Sequence, residues 1–264
     1  MTWCDHDFPL MPLMAEFRGR VPTRGTELTS AFQDIHERDL LFQYIHRIKF
    51  QGDHDKAVRD YFEDGKNCCR RFAQLCGEHK PDGVKTVLEF ASGYGRVARH
   101  SAEFLPGVAW TCCDIHPEAV EFLRNRGLSA IPSTHEPETW TAPQLYDAAL
   151  ALTFFSHMPD RSFGPWLRSI FNAVAPGGIM IFTTHGEVTV EEKWSLPRSC
   201  FDSRGFYWQL GSDQPDLDPL EYGTSAVTFG YVHALLRGIP QASLIRYQRG
   251  FWWGNQDLYV LRRE

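Results

Sequence analysis

The sequence predicts an α/β protein built on a doubly wound parallel sheet, and three observations carry that prediction. The apolar run Val87-Leu88-Glu89-Phe90 ends in a glycine turn, Ser92-Gly93-Tyr94-Gly95, followed by residues at helical spacing. Apolar runs and helical stripes then alternate five times, which calls for parallel strands joined by right-handed crossovers. Two more alternating segments, 243–250 and 256–262, close the chain as a strand pair turning at Gly250 to Gly254.

Taken in order, residues 1–30 are rich in Pro, Gly and Thr without a sustained period, and read as an irregular arm. Phe32 to Ile48 and Asp55 to Cys76 each show apolar residues at helical spacing, predicting two helices before the first strand. Val87, Leu88 and Phe90 make that strand, buried on both faces. Gly93 and Gly95 permit a tight turn and a close approach of ligand to backbone. The helix expected over 96–104 aims its unpaired N–H groups at whatever lies above the turn. Ala109 to Cys113 is the second strand and ends at Asp114; Pro117 suits the first turn of the helix behind it. Leu128 to Ile131 is a short third strand ending at Pro132-Ser133-Thr134. Ala148 to Thr153 is small and apolar, a central strand whose far end presents Phe154, Phe155, Ser156 and His157. Trp166 to Val174 has the stripe of a helix packed on a sheet, stopped by Pro176-Gly177-Gly178. Ile179 to Thr184 is the fifth strand, ending at His185, and Ser225 to Leu236 reads as the last helix.

Between them, 187–222 lose all period, and an insertion this long in a compact domain is a lid or binding loop. Its Tyr207, Trp208 and Tyr222 suit a flat or ring-shaped acceptor. At 264 residues the chain buries a sizeable core. A net charge of −6 without a basic tract argues against a nucleic-acid partner. No apolar run reaches the length of a membrane span. The opening M-T-W-C-D-H-D-F-P has no basic segment before an apolar run, and the seven cysteines form no C-x-x-C. Both fit reduced thiols in a cytoplasmic protein. Metal is not expected: His135-Glu136 and Asp5-His6-Asp7 lack partners at ligand spacing.

In such a sheet ligands sit outside the carboxyl ends of the strands, and each polar residue singled out falls at one of those ends. Glu89 would face an ammonium or a hydroxyl and would repel a pyrophosphate. Asp114 lies 19 residues past Gly95, placed to accept ribose hydroxyls. The stretch V-L-E-F-A-S-G-Y-G-R resembles the first motif of the class I S-adenosylmethionine-dependent methyltransferases, with Ala91 in place of its first glycine. The stretch A-P-G-G-I-M-I-F-T-T-H-G resembles that family's fifth-strand region, and the closing strand pair its usual ending. The resemblance implies a seven-stranded, mostly parallel sheet with an antiparallel last strand over 81–264, preceded by an arm and helices (1–80) packing over the cofactor. It implies S-adenosylmethionine held at Glu89, Ala91, Ser92, Gly93 and Gly95, with the ribose on Asp114. Adenine would lie against Ile115 and bond Ser133 or Thr134; Tyr61 would touch the methionine end, and Phe154, Phe155 and Tyr94 would cover the sulfonium. The closing segment resembles a subgroup acting on sugars or other small polar acceptors.

Methyl transfer needs an acceptor held in line, water excluded and, for a hydroxyl, a base. His157 and His185 end neighbouring strands and are the candidate bases. Two other readings stay open: Gly93-x-Gly95-x-x-Ala98 also fits a looser dinucleotide pattern, as in an NAD(P)-dependent oxidoreductase, and a non-catalytic S-adenosylmethionine-binding subunit would share every cofactor residue. The oligomeric state is not legible.

Overall fold

The computed structural model describes residues 32–211, 214 and 216–264; the arm at 1–30 and Asp5-His6-Asp7 lie outside them. The strands are β1 (Thr86–Phe90), β2 (Ala109–Asp114), β3 (Ser129–Pro132), β4 (Tyr146–Ala151), β5 (Val174–His185), β6 (Phe206–Gln209), β7 (Thr224–Val227), β8 (Ala242–Trp252) and β9 (Gln256–Arg263). Seven of them form one sheet in the order β3-β2-β1-β4-β5-β9-β8, and β6 and β7 pair separately. Strands β1 to β5 run parallel, and β9 enters antiparallel to both β5 and β8. The chain reverses its direction of travel across the sheet between β1 and β4, so the crevice of a doubly wound fold opens beside the turn that leaves β1.

The alternation of side chains along β1 splits the core in two. Leu88 and Phe90 join Phe155, Phe163, Trp166 and Phe182 on one face. Val87 joins Trp110, Cys112, Phe72 and Leu123 on the other. Helices α1 (Leu40–Tyr44), α2 (His54–His79), α3 (Ser101–Phe104), α4 (Pro117–Arg124), α5 (Asp160–Asn172) and α6 (Phe229–Leu236) surround the sheet. Helix α2 starts on the Asp53 carboxylate, which accepts from the Lys56 N–H. It presses so closely on the turn after β1 that a β-carbon at Gly65 would collide with the Arg96 carbonyl. At the opposite end of the sheet the Asp147 carboxylate accepts from the N–H groups of Lys85 and Thr86 at 2.7 and 3.0 Å, tying β4 to β1 as a structural clamp.

Three elements differ from expectation. Residues 32–39 are not helical; α1 is short and continues as a π-helix over Ile45–Lys49, because Phe32 is drawn into the core against Phe122 and the Arg99 guanidinium. The helix behind the glycine turn is a 3₁₀ turn, Ala98–His100, followed by the single turn of α3, so no long helix aims its N-terminus at the site. Ser225 to Leu236 divides into β7 and α6, because Thr228 caps the helix by accepting from the Tyr231 N–H.

The turn itself is left-handed at Ala91 (φ 56°), Gly93 (φ 53°) and Gly95 (φ 74°). A β-carbon at Gly95 would come 2.5 Å from Leu123 Cδ2, whereas one at Gly93 would meet nothing within 4 Å. Gly95→Ala should therefore lose roughly 2–4 kcal/mol in urea unfolding, from strain plus collision, and Gly93→Ala only about 1 kcal/mol from strain. Equal losses would show that the turn is not fixed by α4.

Candidate functional site

The carboxyl ends of β1 and β2 meet over the turn. Ser92 N–H donates to the Cys113 carbonyl at 3.0 Å, and Gly93 N–H donates to Asp114 Oδ2 at 2.6 Å. Asp114 is buried, and its Oδ1 accepts from the His116 N–H at 3.0 Å. Ile115 beside it is half-buried, and Ser133 N–H donates to the Asp114 carbonyl at 2.8 Å, so the tips of β2 and β3 are also joined. Ala91, Ser92, Gly93, Gly95, Asp114, Ile115 and Ser133 thus lie together. Thr134 follows on the exposed side, its hydroxyl donating to the Glu136 carbonyl at 2.8 Å rather than pointing to a ligand.

Glu89 is also buried at this end. Its Oε2 accepts from Trp110 Nε1 at 2.9 Å across the β1–β2 pair, and burial pushes its carboxyl up to about 8. The nearby Arg96 guanidinium opposes that rise and the Asp114 carboxylate adds to it, so both acids share one neighbourhood. A buried carboxyl so reluctant to ionise gains most from a cation brought to it. Arg96 itself pairs with Asp64 of α2.

Sequence reasoning missed the support beneath the turn. Arg99 is 1% exposed, and its guanidinium donates to the carbonyls of Gly95, Tyr94 and Asp34 at 3.1, 3.1 and 3.2 Å. The rings of Phe32, Phe62 and Tyr61 lie 4.2, 4.9 and 5.1 Å from it. Nothing about Arg99 in the sequence separates it from a solvated arginine. His116 was missed too, although an imidazole two residues after a ribose-binding acid is within reach of that acid.

Three other residues expected at the cofactor have protein partners in this structure. Tyr61 is wholly buried, its hydroxyl donating to Asp39 Oδ2 at 2.5 Å, so it braces α2 against α1. Phe155 points into the core, 4.8 Å from Phe163 and 5.1 Å from Phe182. Tyr94 stacks on His36 at 4.6 Å and packs on Phe122. Phe154 is only half-buried, over Phe90 and Trp166, and remains at the end of β4.

That end of β4 is held under strain. Thr153 adopts φ 62°, unusual for a β-branched residue, and its N–H donates to Thr183 Oγ1 at 3.0 Å. The Thr183 hydroxyl donates in turn to Gln256 Oε1 at 2.7 Å. Beyond it stand the two histidines. His157 Nδ1 lies 2.8 Å from the Gly223 carbonyl, and His185 Nδ1 lies 3.1 Å from the Ser225 carbonyl. A carbonyl only accepts, so Nδ1 carries the hydrogen in both rings and Nε2 the lone pair. His157 stacks on Tyr222 at 4.5 Å; His185 meets Trp194 at 5.0 Å, and Trp194 meets Tyr207 at 5.7 Å. Trp208 and Tyr222 also pack against the core. Burial, aided by His157, pushes His185 down to about 3.

The donor set fits S-adenosylmethionine: an acid for the ribose, a second carboxyl starved of a cation, and a glycine whose missing side chain leaves open space above the turn. The comparisons agree. Residues 88–180 match the methyltransferase domain family. No curated protein matches the chain in sequence. Among solved structures, an S-adenosylmethionine-dependent methyltransferase from Clostridium acetobutylicum shares 13% identity at a TM-score of 0.56, covering 84% of this chain and 98% of that one. CalS10, an amino pentose methyltransferase from Micromonospora echinaspora solved with S-adenosylmethionine bound, shares 15% at 0.56 over 80% and 96%. The glycopeptide N-methyltransferase MtfA in complex with S-adenosylmethionine shares 14% at 0.55 over 76% and 94%. Likeness at these identities is a likeness of fold.

Glu89→Gln separates binding from stability. The folded pKa of about 8 lies above the unfolded value of 4.5, so between them the folded chain keeps a proton that the unfolded chain has lost. Wild-type stability therefore falls as pH rises through that window, and the amide removes the fall. At pH 8 the variant should be more stable by upwards of about 1 kcal/mol in urea titration, yet bind S-adenosylmethionine about 1.5–3 kcal/mol more weakly. A variant less stable at pH 8 and unchanged in binding would contradict the placement.

Proposed function

We propose that this chain, a class I S-adenosylmethionine-dependent methyltransferase, methylates an oxygen or nitrogen of a small ring-shaped acceptor, sugar-like or aromatic, seated beneath the 187–222 insertion. When bound, S-adenosylmethionine supplies a methyl group activated by its sulfonium. The residues of the chain do the rest. Asp114 and Glu89 take the two polar ends of the cofactor, and the Gly93 turn lets it lie against the backbone. Phe154, at the end of β4, is the ring left to face the sulfonium. Helix α2 closes the cofactor side of the pocket.

The observation that carries the acceptor reading is the pair of histidines held at the Gly223 and Ser225 carbonyls, each through its Nδ1 and framed by aromatic rings of the insertion. The proton leaving the acceptor goes to His157 Nε2. His185 is the poorer base: with a pKa of about 3, holding a proton at pH 7 costs it roughly 5 kcal/mol, so it serves as a hydrogen-bond acceptor that orients the substrate. Rings of the insertion give a flat surface for a sugar or an arene and keep water out. CalS10 and MtfA, acting on an amino pentose and a glycopeptide, support an acceptor of that size.

The test is S-adenosylhomocysteine production with a panel of amino sugars, nucleotide sugars and phenols, followed by variants on the best acceptor. His157→Gln should lower kcat by about 100-fold or more with cofactor affinity unchanged, and His185→Gln should act mainly on the acceptor KM. Full kcat in His157→Gln would remove His157 as the base; no turnover of any panel member would count against a small-molecule acceptor.

A further inference from the structure

Asp114 holds more donors than a ribose clamp needs. Oδ1 accepts from the His116 N–H at 3.0 Å and lies 2.8 Å from His116 Nδ1, while Oδ2 accepts from the Gly93 N–H at 2.6 Å. A carboxylate offers about four lone-pair positions, so three are taken, and the two ribose hydroxyls need two. The backbone donors belong to the fold, one fixing the turn after β1 and the other the entry into α4. The imidazole is the donor that can leave: its side chain is 22% exposed, and its Nε2 already lies 3.1 Å from the carboxylate of Asp216 in the insertion.

We propose that His116 is a cofactor-site residue that competes with the ribose. Its imidazole occupies the position on Asp114 Oδ1 that a ribose hydroxyl takes, and it turns to Asp216 when the cofactor arrives, so that filling the ribose site and anchoring the insertion are one event. The inference rests on the assignment of the ribose to Asp114.

The groups facing His116 are Asp114 from β2, Glu118 from α4 and Asp216 from the insertion, with Arg38 paired to Glu118 at 2.5 Å. The hydrogen bond to Asp114, then these charges, hold the imidazole pKa above its usual value against the cost of burial. An imidazolium grips Asp114 harder than a neutral ring does. Ribose binding takes that partner away and lowers the pKa, so a proton leaves on binding and affinity falls as pH drops.

The experiment titrates the full chain with S-adenosylhomocysteine by calorimetry between pH 6 and 8.5, in buffers of different ionisation heat. Wild type should bind about three- to ten-fold more weakly at pH 6 than at pH 8 and release a proton near neutrality. His116→Gln should lose the imidazole's share of the proton release, keeping only the share that ionisation of Glu89 against the ligand's ammonium supplies, and should bind at least as tightly as wild type at pH 6. Asp216→Asn, a change at an exposed position that spares the fold, should keep the dependence with its midpoint at lower pH. Proton release in His116→Gln as large as in wild type, or pH-independent binding by wild type, would overturn the inference while leaving the ribose assignment standing. Failure of wild type to bind S-adenosylhomocysteine at any pH would overturn that assignment, and the inference with it.

Discussion

The bond from the Gly93 N–H to Asp114 is the constraint on which the rest of the site depends. It pins the tip of β2 to the turn that leaves β1, and so sets the distance between the Asp114 carboxylate and the backbone of that turn. The turn reaches that bond only by passing through three left-handed residues, one of them Ala91, at a strain of roughly 1–2 kcal/mol for the alanine. Strain of that size persists only where the surroundings fix the backbone. Here Arg99 holds the Tyr94 and Gly95 carbonyls from below, α2 presses at Gly65, and Leu123 closes on Gly95 from α4. A buried guanidinium costs several kcal/mol unless each donor is satisfied. Three carbonyls take three of the five N–H groups of Arg99, and the rings of Phe32, Phe62 and Tyr61 lie against it, which offsets part of that cost beneath the turn.

The same sheet produces the second half of the site by a different route. Strand β4 ends in a left-handed threonine locked by Thr183 and Gln256, and the two histidines are fixed by carbonyls around β7. One half, proposed to take the cofactor, is held by the sheet core. The other, proposed to take the acceptor, is held by the Gly223 and Ser225 carbonyls just past the insertion.

The sequence was most legible where local pattern and tertiary environment agree. Apolar runs such as Val87–Phe90 and Ala148–Ala151 are buried on both faces and became strands, and Glu89, Gly93 and Asp114 converge because a doubly wound topology brings carboxyl ends together. Legibility failed where long-range contacts decide. Phe32 and Ile35 have helical spacing with Leu40 and Tyr44, yet Phe32 is an anchor on Arg99, so the chain there is not helical. Phe155 looks no different in sequence from Phe154, but one is buried in the core and the other packs half-buried on its edge. Thr228 was a visible helix cap that periodicity alone overrode. Arg99 reaches Asp34 and Asp216 reaches His116 across tens of residues, and no spacing announces those pairs.

The central claim is that Glu89, the Gly93 turn and Asp114 grip a single adenosyl sulfonium donor. A crystal structure with S-adenosylhomocysteine tests it most directly. The account predicts both ribose hydroxyls on Asp114, the homocysteine chain over Gly93 and the amino group on the Glu89 side of the turn. A ligand lying elsewhere, or a ribose held by a residue other than Asp114, would contradict it.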